Sequence, residues 1–369
     1  GKTGNNGVTY TGLPEAFEMA GYEVNPATVQ LYKKYKQLGI IDNELPVSDY
    51  TSSAIASYYA YSGAAILTFS RYGTENSDLK THDVVDHANV DDHILQLDDN
   101  EVALVRHAKQ YFSKVIVLIN SSNIMQIPDL AAEKTPDNLG VDAILWVGGI
   151  GNNGTEAIGK ILDGTINPSG HTSDIWTSDF KKDPSWTNFA YNSQNYDENH
   201  NRMNAMLYRE DGTATNFAEV EYREGIYNGY RFYETKAHDL GGTTGENWYN
   251  ENVLYPFGYG LSYTNFKWEL VGGKQTGKIT AGNQTITVQV KVTNEGEVAG
   301  KDVVQLYYSA PYTKNGIEKS SNNLVNFAKT KLLKPGESDI VTIQFVAQDM
   351  ASFDYDDKNK NNFKGYELE

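Results

Sequence analysis

Three short apolar runs constrain this chain more than any other feature: AAILTF (64–69), KVIVLIN (114–120) and AILWVG (143–148). Runs that are apolar at nearly every position, rather than at alternate ones, suit strands covered on both faces. The segments between them carry a different period. In DNEVALVRHAKQYF (99–112), Val102, Val105, Ala108 and Phe112 fall on one helical stripe. TEAIGKILDG (155–164) is likewise amphipathic and is stopped by Gly164 and the turn Asn167-Pro168-Ser169-Gly170. Upstream, 13–38 reads as two short helices, the second opened by Asn25-Pro26, and a helix-like piece lies around 127–134. Strands alternating with helices predict an open, mostly parallel α/β sandwich over residues 1–262. A polar stretch rich in Asn, Asp, Tyr and Ser, about 181–220, reads as an insertion, and order returns in the aromatic, glycine-punctuated segments 220–234 and 253–266.

Beyond 266 the period changes to two. Ile286, Val288, Val290 and Val292 alternate with Thr287, Gln289 and Lys291, which marks one buried and one wet strand face. With further strand-like runs at 302–308 and 339–346, and turns at Asn294-Glu295-Gly296 and Pro335-Gly336, residues 263–369 are expected to form an all-β sandwich. The terminal FKGYELE reads as lacking a last strand, and the opening GKTGNNGVTY as a loop inside a larger polypeptide.

Composition narrows the partners. The 369 residues carry a net charge of −17, which disfavours nucleic acid and anionic membranes and leaves neutral ligands open. No stretch is long and apolar enough to predict membrane insertion. With no Cys, disulfides, thiolate nucleophiles and Cys-ligated metals are excluded, and the compartment is left undecided between a cytosol and an exterior. The 26 Tyr suit strand surfaces and also aromatic platforms over polar grooves.

Several motifs fall short of the chemistry they suggest. Gly149-Ile150-Gly151-Asn152-Asn153-Gly154 fits a dinucleotide loop but follows the third strand, where a tight strand-to-helix turn explains the glycines; no cofactor is expected. Gly1-Lys2-Thr3 lacks the preceding glycine of a phosphate loop. His82, His87 and His93 lack metal-ligand spacing, so no metal is expected. Ser169, His171 and Asp174 sit too close in sequence for a triad, and Asp174 and Asp179 follow the NPSG turn as peripheral structure. The remaining candidate is Glu75, flanked by Thr74 and Asn76 on the loop that leaves the first strand. An acid on a loop is, taken alone, more often a solvated charge than a catalyst.

The chain resembles the C-terminal modules of glycoside hydrolase family 3, the β-glucosidase and β-xylosidase family. The matching segments are SRYGTENSDL (70–79), KVIVLINSSN (114–123), DAILWVGG (142–149), AIGKILDGTINPSG (157–170), YREGIYNGYRFYE (222–234) and LYPFGYGLSYTNF (254–266). The β region matches through 292–312 and 316–338. The resemblance implies an α/β sandwich followed by a fibronectin type III-like domain, and a (β/α)8 barrel bearing the nucleophilic Asp. The barrel's Ser-Asp-Trp string is absent, so the barrel is expected on another chain or in flanking sequence. It further implies Glu75 as general acid/base of a retaining exo-acting β-glycosidase, foremost a β-glucosidase, with Asp78 and Arg71 orienting the loop or touching sugar hydroxyls. The family loop has glycine on both sides of that Glu; here both are replaced. Expected partners are a β-linked gluco- or xylo-oligosaccharide or aryl glycoside and the barrel itself; a homo-oligomer stays open. A non-catalytic carbohydrate-binding or scaffold fragment is the alternative. An extracellular or cell-surface bacterial location is the expectation.

Overall fold

The architecture was analysed in a computed structural model that describes residues 2–3, 9–38, 44–71, 73, 79–81, 84, 86–186, 206–208, 211, 214–218, 222, 224–274 and 276–368. Two compact units are present. The first comprises 1–166, 178–180 and 186–221; the second comprises 167–177, 181–185 and 222–369.

The first unit opens with the paired strands β1 (Lys2–Thr3) and β2 (Thr9–Tyr10), then the helices α1 (Leu13–Met19), α2 (Pro26–Gln37) and α3 (Ser52–Ser57). Asn25 caps α2 by accepting from the Ala27 and Thr28 amides, as the Asn-Pro signal implied. The three apolar runs become β3 (Ala65–Arg71), β4 (Val115–Ser121) and β5 (Ala143–Trp146), a parallel sheet in the order β3-β4-β5. The register runs from Ala65 opposite Val115 to Arg71 opposite Ser121, and from Ile116 opposite Ala143 to Ile119 opposite Trp146. Central β4 buries Val115, Val117, Leu118 and Ile119 completely, which is why its sequence shows no alternation.

The crossover from β3 to β4 contains α4 (Asp99–Tyr111) and that from β4 to β5 a single turn, α5 (Pro128–Ala131); α6 (Thr155–Leu162) follows β5. Leu118, Phe17 and Ile158 form a core with Ile66, Ile116 and Leu145 around them. Helices α1 and α6 meet there so closely that a Cβ on Gly159 would lie 2.9 Å from both the Ala16 carbonyl and the Ala20 Cβ. In the expected polar insertion, β7 (Met206–Tyr208) pairs antiparallel with β8 (Ala214–Ala218), and much of the rest of that stretch lies outside the described residues.

In the second unit β6 (Trp176–Thr177) pairs with β9 (Val253–Tyr255), and two helices stand between them in sequence, α7 (Tyr230–Leu240) and α8 (Gly242–Asn252). Tyr233 is their anchor, buried with Ile175 and Val253 and stacked on Trp248 at 5.8 Å between ring centres. The antiparallel strands β10 (Phe266–Leu270), β11 (Thr285–Asn294) and β14 (Ser338–Val346) form one sheet, and β12 (Val303–Tyr308) with β13 (Asn323–Lys329) forms another. Val292, Val341 and Ile343 from the first sheet close with Val304 and Leu333 into one core. Towards the end of the described residues, β15 (Ser352–Asp354) and β16 (Gly365–Glu367) pair as an antiparallel hairpin. Helix α7 belongs to this unit because it is stitched to it. Tyr230 Oη accepts from the Leu324 amide at 3.0 Å, and Thr235 Oγ1 accepts from the Ser321 amide at 2.9 Å. Among the described residues no helix is long and apolar enough to cross a membrane.

Candidate functional site

Ligands of open parallel sheets gather beyond the carboxyl ends of the strands. Here that edge is formed by Arg71, Ser121 and Trp146, the last residues of β3, β4 and β5. The loop expected to carry the acid leaves directly from Arg71. Glu75 and Asp78 themselves lie outside the described residues. What the structure describes is how that loop is rooted.

The Arg71 guanidinium has five N–H donors, and each meets a protein acceptor. Nη1 donates to Glu101 Oε1 at 2.7 Å and to the Ser70 carbonyl at 2.8 Å. Nη2 donates to Glu101 Oε2 at 2.6 Å and to the Gln96 carbonyl at 2.5 Å. Nε donates to the carbonyl of Ile94. The pair is bidentate and deeply buried, with side-chain exposures of 7% for Arg71 and 3% for Glu101. Ile94 also ties the loop's far end, because its amide donates to the Lys80 carbonyl at 3.0 Å. One peptide segment, 94–96, therefore clasps both ends of the stretch that contains residue 75. Between the two ties, Gly73 lies against Leu79, with a would-be Cβ 3.2 Å from Leu79 Cδ2.

Glu101 is fixed in turn by a capping box at the start of α4. Asp98 Oδ1 accepts from the Glu101 amide at 2.7 Å, and Glu101 Oε2 accepts from the Asp98 amide at 3.0 Å. Burial, together with the neighbouring Glu101 charge, pushes the Asp98 carboxyl up to about 6, although its bond from the Glu101 amide and the Arg71 charge pull the other way. Behind the box, Glu44 accepts from Tyr32, whose hydroxyl lies 2.6 Å from that of Tyr50. Burial raises the Glu44 carboxyl above its ordinary range, against the bonds it accepts from Tyr32 and the Leu45 amide. Sequence reading missed Glu101, Asp98 and Glu44. The first two had a visible signal in Asp98-x-x-Glu101 ahead of an apolar stripe; the carbonyls of Ile94 and Gln96 had none.

The other sequence candidates scatter. His93 is buried, stacked on Phe180 with ring centres 5.4 Å apart, and its Nε2 lies 3.1 Å from Gln126 Oε1. His87 Nδ1 is 3.7 Å from Asp92 Oδ2, and His82 lies outside the described residues. Among the described residues no cluster of three His, Asp or Glu could hold a metal. The glycine-rich turn at 149–154 runs into α6, whose first turn is covered by Thr11: its carbonyl accepts from Thr155 Oγ1 at 2.7 Å and its hydroxyl donates to Glu156 Oε1 at 3.1 Å. Asp174 is exposed, while His171 turns toward Asp302, with Nε2 3.7 Å from Oδ1.

Comparison with known proteins fits this layout. The model of the glycosyl hydrolase family 3 C-terminal domain matches residues 8–263. The chain belongs to glycosyl hydrolase family 3. A fibronectin type III-like model matches 302–363 within the antiparallel sheets. Beta-glucosidase A of Butyrivibrio fibrisolvens is 33% identical over 353 residues, which is 89% of this chain and 38% of that protein. A beta-glucosidase of Ruminococcus albus is 29% identical over 368 residues, 95% of this chain and 32% of its own length. Among solved structures, a beta-glucosidase from Paenibacillus barengoltzii superposes with a TM-score of 0.73 at 28% identity, covering 98% of this chain and 34% of that one. Beta-glucosidase 3B of Thermotoga neapolitana, solved with α-D-glucose, gives 0.68 at 28% identity over 93% of this chain and 42% of its own. The chain thus spans about a third of the length of these two curated relatives.

Proposed function

We propose that this family 3 chain supplies the general acid/base of a retaining, exo-acting β-glycosidase, foremost a β-glucosidase, to a barrel domain on another chain or in flanking sequence. Retaining hydrolysis needs two carboxyls about 5–5.5 Å apart, one a nucleophile and one an acid that later acts as base. Glu75 takes the second role. It protonates the departing glycosidic oxygen, then removes a proton from the water that opens the glycosyl-enzyme intermediate. The nucleophilic Asp comes from the barrel. No cofactor enters the reaction.

The observation that carries the reading is the double tie at the loop's base. An acid/base acts only when held to within hydrogen-bond reach of its proton's destination, and general acid–base help of roughly 10²–10⁴-fold depends on that placement. A loop of this length rooted at one end only would lose much of it. Because all five donors of Arg71 are engaged, its role is to orient the loop and not to grip sugar hydroxyls. Asp78, in the same stretch of sequence, orients the loop or touches sugar hydroxyls. The relatives that the chain matches across most of its length are named beta-glucosidases, which supports the substrate class.

The test is Glu75→Ala in the complete enzyme, barrel included, on an aryl glycoside with a good leaving group and on cellobiose. Cellobiose turnover is expected to fall by about 10²-fold or more, the aryl substrate to suffer less, and azide to rescue the aryl reaction as a glycosyl azide. Unchanged cellobiose turnover would favour the alternative, a non-catalytic carbohydrate-binding or scaffold fragment.

A further inference from the structure

The second unit contains a cleft that no part of this mechanism uses. It has a volume of about 470 Å³ and opens between the turn at 169–171, the stretch 260–266, Trp268 on β10 and the pair Lys301-Asp302 before β12. That volume falls in the range of small-molecule sites, about 300–1,000 Å³. All of it lies within one unit.

The cleft is built rather than left over. Asp302 is fixed by its backbone amide, which donates to Thr330 Oγ1 at 3.0 Å, and by the Val303 amide, which donates to Oδ1 at 2.9 Å. Its Oδ2 accepts from the Trp268 indole N–H at 2.7 Å and so sets the ring's orientation. With that N–H engaged, 46% of Trp268 is still open to solvent. Opposite stands His171. Its Nδ1 is buried and has no hydrogen-bond partner among the described residues. The wall behind His171 must be glycine, because a Cβ on Gly260 would lie 2.4 Å from the Gly170 carbonyl and 3.1 Å from the imidazole. Asn167 holds the two loops together, accepting from Ser262 Oγ at 3.0 Å and the Tyr263 amide at 2.8 Å and donating to the Ala299 carbonyl at 3.1 Å. Such fixing removes much of the ordering cost of binding.

An open indole bordered by a carboxylate, an ammonium and an imidazole suits one chemistry. A pyranose with equatorial hydroxyls has an apolar C–H face and a polar rim. The face would lose water against the ring while the rim meets Asp302, Lys301 and His171. One carboxylate against one ammonium makes the lining nearly neutral, and the chain's −17 repels polyanions. We propose that this cleft is an accessory binding site for a neutral, β-linked gluco-oligosaccharide, with Trp268 as its stacking platform. The site makes and breaks no bond, and it does not depend on the role of Glu75.

The test titrates cellotetraose into the 369-residue chain, following Trp fluorescence and heat. Saturable binding is expected in the wild type, unaffected by Glu75→Ala. Trp268→Ala is expected to weaken it at least about tenfold, as loss of an aromatic anchor does. Trp268→Phe, which retains a ring, retains most of the affinity, and equal unfolding midpoints for the variants separate lost binding from lost folding. Three results would each overturn the proposal: no saturation by about 10 mM, an affinity weaker than about −3 kcal/mol; equal affinity in Trp268→Ala; or concentration-dependent self-association that Trp268→Ala abolishes, which would make the cleft a contact between copies.

Discussion

If the clasp at Arg71 is what roots the loop that contains residue 75, removing either member of the ion pair must cost at least as much as removing both. In Arg71→Met the Glu101 carboxylate stays in place with 3% of its side chain exposed, holding the Asp98 amide but deprived of both guanidinium bonds. Leaving one charge of such a buried pair uncompensated costs about 3–5 kcal/mol. Glu101→Leu strands the guanidinium instead and costs a similar amount. The double variant strands no charge; it leaves the carbonyls of Ser70, Ile94 and Gln96 without their donor. Each such acceptor costs about 1–3 kcal/mol if dry and much less if water reaches it. The double variant should therefore be no worse than the milder single one, a coupling of at least about 3 kcal/mol in a double-mutant cycle. The assay is urea unfolding of all four proteins, with hydrogen exchange at the Ile94 amide, which bonds the loop's far end, as a local reporter. In the complete enzyme, Glu101→Gln should lower kcat on cellobiose with little change in KM. Additive losses, or singles costing under about 1 kcal/mol as exposed pairs do, would refute the clasp.

Two further outcomes follow from the same unit. The Asp98 carboxyl sits near 6 in the folded chain against an ordinary 3.8, so the folded state binds its proton more tightly. This contribution to stability is full below the ordinary value and is lost as pH rises through 6. Asp98→Asn, which keeps an acceptor at the helix cap, should flatten the dependence of the urea midpoint on pH between 4 and 6, and an unchanged slope would contradict the assignment. Gly159→Ala should destabilise by about 1–3 kcal/mol through overpacking at the α1–α6 contact, which outweighs the helix-propensity gain of about 1 kcal/mol; a raised Tm would show that the helices part easily.

The parallel sheet was legible because β4 is buried on both faces and so cannot alternate, and because the helices beside it have capping and stop signals in sequence. Helices α7 and α8 were not legible. Their stretch carries Tyr230, Phe232, Tyr233, Trp248 and Tyr249, residues that favour strands, its caps are Gly229 and Gly241 with no side-chain cap, and two glycines adjoin where one helix ends and the next begins. Tertiary contacts decide there: Tyr233 is buried against Trp248, Ile175 and Val253, and Tyr230 and Thr235 bond across to residues some 90 positions away. The site divides in the same manner. Glu75 was named through family resemblance, whereas the carbonyls that receive Arg71 come from a loop with no pattern of its own, and their role exists only once the chain has folded.

The replaced glycines give this clasp its significance. Where the family loop has glycine on both sides of the acid, this chain has Thr74 and Asn76. Side chains there narrow the conformations of the unfolded loop and reduce the entropy lost on ordering it. They also forbid backbone conformations that only glycine adopts readily. A loop with fewer available paths needs its end points set correctly, since it has less freedom to correct a misplaced start. Tying both ends to residues 94–96 meets that need. Replacing Thr74 and Asn76 together by Gly should therefore make turnover more tolerant of Glu101→Gln, so that kcat on cellobiose falls less than in the parent background. An equal fall in both backgrounds would mean that the loop's path is set elsewhere.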